Sequence, residues 1–287
     1  MIGTSALVID TAHGVFDSHN YFPIYYNDYG SIENAVSAAD QLARQRHIHH
    51  IYIAANLGVM EGIKYFSQNI HTPVTIFDNA HCLVLPGTQV GPVVYMDAPY
   101  SPLAETLLHQ YANATLISQL KRMGGDPFNL YVLSPKSTPR TTVSPQQDFT
   151  STLQLQEPQA HYISASNESW MVTHWQLAQS ASSDWRTTYD YAFRANLTGQ
   201  AVDPNEPADE CVMTRVQAGD HLFVGFDFSS LQGQVPTTVS LEVQYLIFKP
   251  WLLHFGPIRF QTFDDRIDQD LHLHMLNRQE ALTLPGA

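Results

Sequence analysis

The sequence predicts an α/β domain followed by an all-β domain: an N-terminal three-layer, Rossmann-like α/β unit and a C-terminal antiparallel β-sandwich of jelly-roll type. Three observations lead there. A chain of 287 residues has room for about two domains. Amphipathic helices alternate with short apolar strands up to about Ser134, whereas the later patterns repeat every two residues. Between them, "PKSTPRTTVSPQQDFTSTLQLQEPQ" is rich in Pro, Ser, Thr and Gln and has no helical period. The expected organisation is a lead-in over 1–18, the α/β domain over 19–134, a linker over 135–159, the sandwich over 160–266 and a tail over 267–287.

The first helix is read from apolar spacing. Ile32, Ala35, Val36, Ala39, Leu42 and Ala43 recur at steps of three and four, behind Ser31 as the expected N-cap and with Arg44 and Arg46 at the end. "HIYIAAN" then reads as a buried strand and "GVMEGIKYFSQ" as a second helix. "TPVTIFD", "HCLVLP" and "GPVVYMD" are short β-rich runs bounded by Pro, Gly and Asp. In "SPLAETLLHQYA", Ser101 caps a helix, Pro102 opens it and Glu105 sits in its first turn. "ATLISQLK" and "FNLYVLS" are further strands around the turn "GGDP".

The second half reads as strands: "WMVTHWQLA", "WRTTYDYAFRANL", "HLFVGFDF", "TTVSLEVQYLIF" and "LLHFGPIRFQTF". In "TYDYAFRANL", Tyr189, Tyr191, Phe193 and Ala195 fall on one face and Asp190, Ala192, Arg194 and Asn196 on the other. Such strands joined by Gly, Pro and Asp turns indicate a sandwich.

Composition narrows the function. Charged residues make up only 14%, against about 25% in an ordinary soluble protein. The formal charge of −13 repels phosphate backbones, so nucleic acid is not an expected partner. No run of about 18 apolar residues occurs that would span a membrane as a helix. Of the two cysteines, Cys82 and Cys211, buried thiols are the expected state and a bridge between the domains is the alternative.

A search for chemistry returns little. The turn after the first strand, "AANLGVMEG", has Gly58 and Gly62 but lacks the glycine pattern of a dinucleotide site. No GxSxG, GxxxxGK[ST] or HExxH is present, and no catalytic residue, metal ligand or cofactor is assigned. Asp264 and Asp265 read as a solvated turn. His47, His49 and His50 form a cluster near a helix end, where imidazoles meet free carbonyls without a metal. His272 and His274 share a face of an extended segment but lack a third ligand. The sequons at Asn113, Asn167 and Asn196 are as frequent as chance gives. Trp170, Trp175 and Trp185 gather at the start of the β-domain, with Trp251 near its end. Packing is the ordinary role of such rings; a platform for stacking sugar is the alternative, which makes the first three the carbohydrate-binding candidates.

The order of motifs resembles the extracytoplasmic region that follows the last transmembrane helix in bacterial membrane glycosyltransferases of the family 39 and aminoarabinose transferase type. "NYFPIYYNDYGSIENAVSAADQLARQRHIHHIYIAAN" is similar to their aromatic pair, helix and strand. "TPVTIFDNAHCLVLPGTQVGPVVYMDAPYSPLAETLL" and "KRMGGDPFNLYVLSP" follow in the same order. "FRANLTGQAVDPNEP" and "VQAGDHLFVGFDF" are similar to their closing β-module. The resemblance covers about 20–263 and implies a cell-envelope, extracytoplasmic location. It also implies tethering by transmembrane helices absent from this chain, and Tyr21 to Tyr29 as aromatics at a membrane boundary. The family's catalytic acid and its polyprenyl-phosphate sugar site lie in segments with no counterpart here, so no catalytic residue carries over. The expected function is thus a non-catalytic portion that binds glycan, a neighbouring protein or the upstream transmembrane region. A soluble glycoside hydrolase with a site between the domains, and a surface adhesion module, are the alternatives.

Overall fold

A computed structural model describes residues 23–87, 90–98, 102–122, 126–135, 153–155, 161–165, 168–177, 188–197, 209–227, 238–248 and 282–285. These form a mixed α/β structure made mostly of strands, with two sheets and, among the described residues, three helices.

The first helix, α1 (Pro23–Gln45), buries Ile32, Ala35, Val36, Ala39, Leu42 and Ala43, the stripe its spacing predicts. Each of the larger ones contributes roughly 1.5–3 kcal/mol by leaving water. Ser31 is a correction: it lies inside α1, which runs through Gly30, so it is not the residue at which the helix starts. Local capping chemistry is outweighed here by packing of the whole helix against its neighbours. At the other end, the Ile48 amide donates to the Ala43 carbonyl (2.8 Å) and that of His47 to Arg44 (3.3 Å), a Schellman closure. His47 therefore occupies a left-handed position (φ 55°) where glycine is usual.

Strand β1 (Ile51–Ala54) follows, then α2 (Leu57–Phe66), β2 (Val74–Phe77), β3 (Cys82–Leu85) and β4 (Val93–Asp97). Next come α3 (Pro102–Tyr111), β5 (Ala112–Leu120) and β6 (Phe128–Pro135). The runs β1, β2, β3 and β4 are buried throughout, so their sequences are continuous apolar stretches rather than alternating ones. β1 pairs in parallel with β2 (Ile51 beside Val74) and with β4 (Ile51 beside Val94). β6 then joins β4, and β5 joins β6, both antiparallel.

The remaining strands are β7 (Leu153–Leu155), β8 (His161–Ala165), β9 (Glu168–Leu177), β10 (Thr188–Leu197), β11 (Asp209–Thr214), β12 (His221–Asp227), β13 (Thr238–Phe248) and β14 (Leu282–Pro285). The large sheet has the order β14-β13-β10-β11-β2-β1-β4-β6-β5; the smaller is β3-β12-β9-β7, with β8 also on β9. Pairing thus crosses the expected linker twice: β11 adds to β2 (Met213 beside Phe77) and β12 to β3 (Phe223 beside Leu83). Most of that linker, the "LLHFGPIRFQTF" run and Asp264, Asp265, His272 and His274 lie outside the described residues.

One face of the large sheet packs under α1 and α2 through Ile51, Ile53, Val94 and Met96. The other carries Tyr52, Phe77, Tyr95 and Tyr131, and is covered by α3 and the smaller sheet. The cysteines are a second correction. They are not separate thiols: Cys82 on β3 and Cys211 on β11 form a buried disulfide, with Cα atoms 5.8 Å apart and a sequence separation of 129. It fastens one sheet to the other through the shared core. Among the described residues, no helix is long and apolar enough to cross a membrane.

Candidate functional site

In an open parallel sheet, ligands bind beyond the carboxyl ends of strands that lead off in opposite directions. Here β1 leads through α2 to β2 on one side, and β4 leads through α3 toward β5 on the other. The switch point therefore lies between the ends of β1 and β4.

Asn79, two residues past the end of β2, reaches across the end of β1. Its Nδ2 donates to Asp97 Oδ1 (3.2 Å) and to the Ala98 carbonyl (2.8 Å). Backbone bonds continue the same ties: the Ala98 amide to Ala54 and the Ala55 amide to Phe77. Asn79, Asp97 and Ala98 are all buried, so this end of the sheet is filled from within. Asn79 Oδ1 and the Tyr95 hydroxyl are buried with no hydrogen-bond partner among the described residues.

Burial pushes the Asp97 carboxyl up to about 7; the Asn79 amide partly opposes this, and the charge of Glu105 in the first turn of α3 adds to it. A carboxyl poised there can give or accept a proton near neutrality. Asn56 caps α2 with its backbone alone: its carbonyl accepts from Val59 and Met60, and its side chain caps nothing.

A second buried cluster sits where the turn between β11 and β12 folds onto the sheet. Asp220 accepts from the Tyr52 hydroxyl (2.7 Å), the Gln217 amide (2.8 Å) and the Gly87 amide (3.3 Å). Burial raises its carboxyl to about 6, held back by those three donors. Gly87 is required: a Cβ there would stand 2.5 Å from the Gly219 carbonyl oxygen, and Gly219 itself is left-handed (φ 91°).

Beside it, the Gln217 side-chain Nε2 donates to His50 Nδ1 (2.8 Å), so His50 Nε2 carries the proton and donates to Thr75 Oγ1 (2.9 Å). Thr75 passes its own proton to the Arg215 carbonyl (2.8 Å). Burial, helped by Arg215, lowers His50 to about 4.

A third group joins β9 to β12. His174 Nε2 and His221 Nδ1 are 3.0 Å apart, and the His174 ring stacks on Phe223 with centroids 4.3 Å apart. Burial and the neighbouring His174 lower His221 to about 4.

The residues singled out in the sequence fall as follows. Trp170 and Trp175 are both buried in the core between the sheets, and Trp175 Nε1 donates to Thr173 Oγ1 (2.8 Å). Trp185 lies outside the described residues. Of the cluster "HIHH", His50 belongs to the polar chain above, whereas His47 and His49 are exposed. No group of three or more His, Cys, Asp or Glu placed to hold a metal occurs among the described residues. Asp97, Asn79, Asp220 and the His174–His221 pair carry the notable chemistry and were not distinguishable by motif. Apart from His174, which sits inside β9, their only sequence signal is an ionisable or amide side chain at the end of an apolar run.

No protein-family model, curated protein or solved structure matches the chain.

Proposed function

We propose that the chain is the non-catalytic, extracytoplasmic portion of a membrane-glycosyltransferase-like protein. On this reading the parallel strands β2-β1-β4 with α1 and α2 are its Rossmann-like part. The antiparallel strands after 160 are its sandwich-like part, which contacts glycan or a neighbouring protein. The observation that carries the reading is the Cys82–Cys211 disulfide, because such bonds persist in oxidising compartments and are rare in reducing ones. Two stretches behind the resemblance also meet in space: "HCLVLP" supplies β3, and "AGDHLFVGFDF" supplies Asp220 and β12, which pairs with it. Their polar side chains tie backbone together, as suits a scaffold.

Alkylation of the protein from its native compartment, without reductant and followed by mass spectrometry, tests the location. Two blocked thiols on Cys82 and Cys211 would overturn it; two unmodified cysteines are expected. Calorimetry against cell-surface sugars tests the glycan part, and silence across them leaves the neighbouring protein.

A second reading, a soluble hydrolase, is favoured by one feature: the Asp97 carboxyl near 7 with the Glu105 charge acting on it. Glycoside hydrolysis needs such a raised acid beside a second carboxylate. Turnover of aryl glycosides that disappears in Asp97→Asn would establish it; equal rates in both proteins, or none, would remove it.

A further inference from the structure

On a chain of net charge −13, one open cavity of about 250 Å³ is lined by an arginine and two histidines, with no acid among the described residues of its wall. Arg46, His47 and His49 form one side; Ile48, Val90, Pro92 and Val132 form the apolar remainder. It lies at the amino ends of β1 and β4, at the opposite end of the sheet from Asp97.

Two details of the backbone bear on its purpose. The carbonyls at the end of α1 would repel an anion, but those of Leu42, Ala43 and Arg44 already accept from Arg46, Ile48 and His47. The Schellman turn thus removes two acceptors from the neighbourhood, and the last α-helical bond removes the third. His47 also stands at the left-handed position where glycine would be less strained, by about 1 kcal/mol. A strained side chain facing a cavity points to use of that side chain.

We infer that this cavity is a binding site for a small organic anion, a carboxylate or phosphate monoester. The Arg46 guanidinium, with His47 and His49, holds the anionic group, and Val90, Pro92 and Val132 hold the apolar body. Arginine suits the anionic group because its planar fork can bond two oxygens at once. The volume lies below the roughly 300–1,000 Å³ of sites for drug-sized ligands, so the occupant is a small molecule or the end of a longer one. The site is independent of the disulfide and of the proposed location.

The test is titration of the full chain, followed by amide NMR and calorimetry, with benzoate, phenyl phosphate, inorganic phosphate and neutral benzyl alcohol. Benzoate or phenyl phosphate is expected to bind and to shift Arg46, His47, Ile48 and His49 resonances; benzyl alcohol is not. Whichever of the two binds more tightly identifies the anionic group, and inorganic phosphate binding more weakly than phenyl phosphate shows the use of the apolar wall. Arg46→Gln and His47→Gly are each expected to weaken binding at least tenfold. His47→Gly relieves the turn and is expected to raise Tm, which separates lost binding from lost folding. Unchanged affinity in both variants, equal affinity for benzyl alcohol, or no binding of any anion at millimolar concentration would overturn the inference.

Discussion

Asp97 and Asp220 are both buried aspartates on one chain, yet they stand in opposite situations. Asp220 receives three donors, two of them backbone amides. Among the described residues Asp97 receives one, from an asparagine whose own oxygen has no partner there. Burial raises both, to about 6 and about 7. The comparison teaches that a buried carboxylate becomes a fastener when donors converge on it. Both remain acids whose state depends on pH, because burial raises both.

The largest expected effect breaks the fastener. Asp220→Ala removes the acceptor of the Tyr52 hydroxyl and of the Gly87 and Gln217 backbone amides, and should cost about 3–5 kcal/mol in urea unfolding. Asp97→Ala should cost clearly less, since only Asn79 loses a partner among the described residues. Equal losses would erase the distinction.

Opening the disulfide with Cys82→Ala and Cys211→Ala should cost about 2–5 kcal/mol, because the closed loop is long. A smaller loss would mean that the sheets are held by packing alone.

Asn replacements sharpen the comparison. Asp97 has a folded pKa above its unfolded one, so its protonated form favours folding, and stability falls as pH rises from about 4 to about 7. Asp97→Asn removes that loss and should gain about 2–4 kcal/mol at pH 8 over wild type, with little change at pH 4. Asp220→Asn turns an amide group toward donors and should destabilise at both pH values. Chemical denaturation at pH 4 and 8 checks both signs.

The smallest effect comes from histidine. His221 has a lowered folded pKa, so its neutral form favours folding, and its contribution is lost as pH falls from 6.5 toward 4. His221→Gln should flatten the acid limb of the stability profile. An unaltered limb would assign it to His50 and other groups.

Much of the fold is legible in local pattern. The stripe of α1, the proline opening α3 and the apolar runs β1 to β4 appear where spacing puts them. The addition of β11 to β2 is not legible, nor is the bond from Cys82 to Cys211, because neither leaves a local period. Short β7, β8 and β14 are not legible for a related reason: three to five residues hold too few repeats to reveal alternation. At the candidate site, Asp97 is visible only as the end of "VVYMD". That Asn79 crosses β1 to meet it depends on strand order, which no segment encodes by itself.

The pairing of Met213 with Phe77 also has a consequence for synthesis. During translation β2 emerges long before β11, and at about 5–20 residues per second the wait is on the order of ten seconds. For that interval β2 presents an unpaired hydrogen-bonding edge, open to any other nascent strand. The chain therefore has a vulnerable period in its own production, which ends when residues 211–214 arrive and seal the edge.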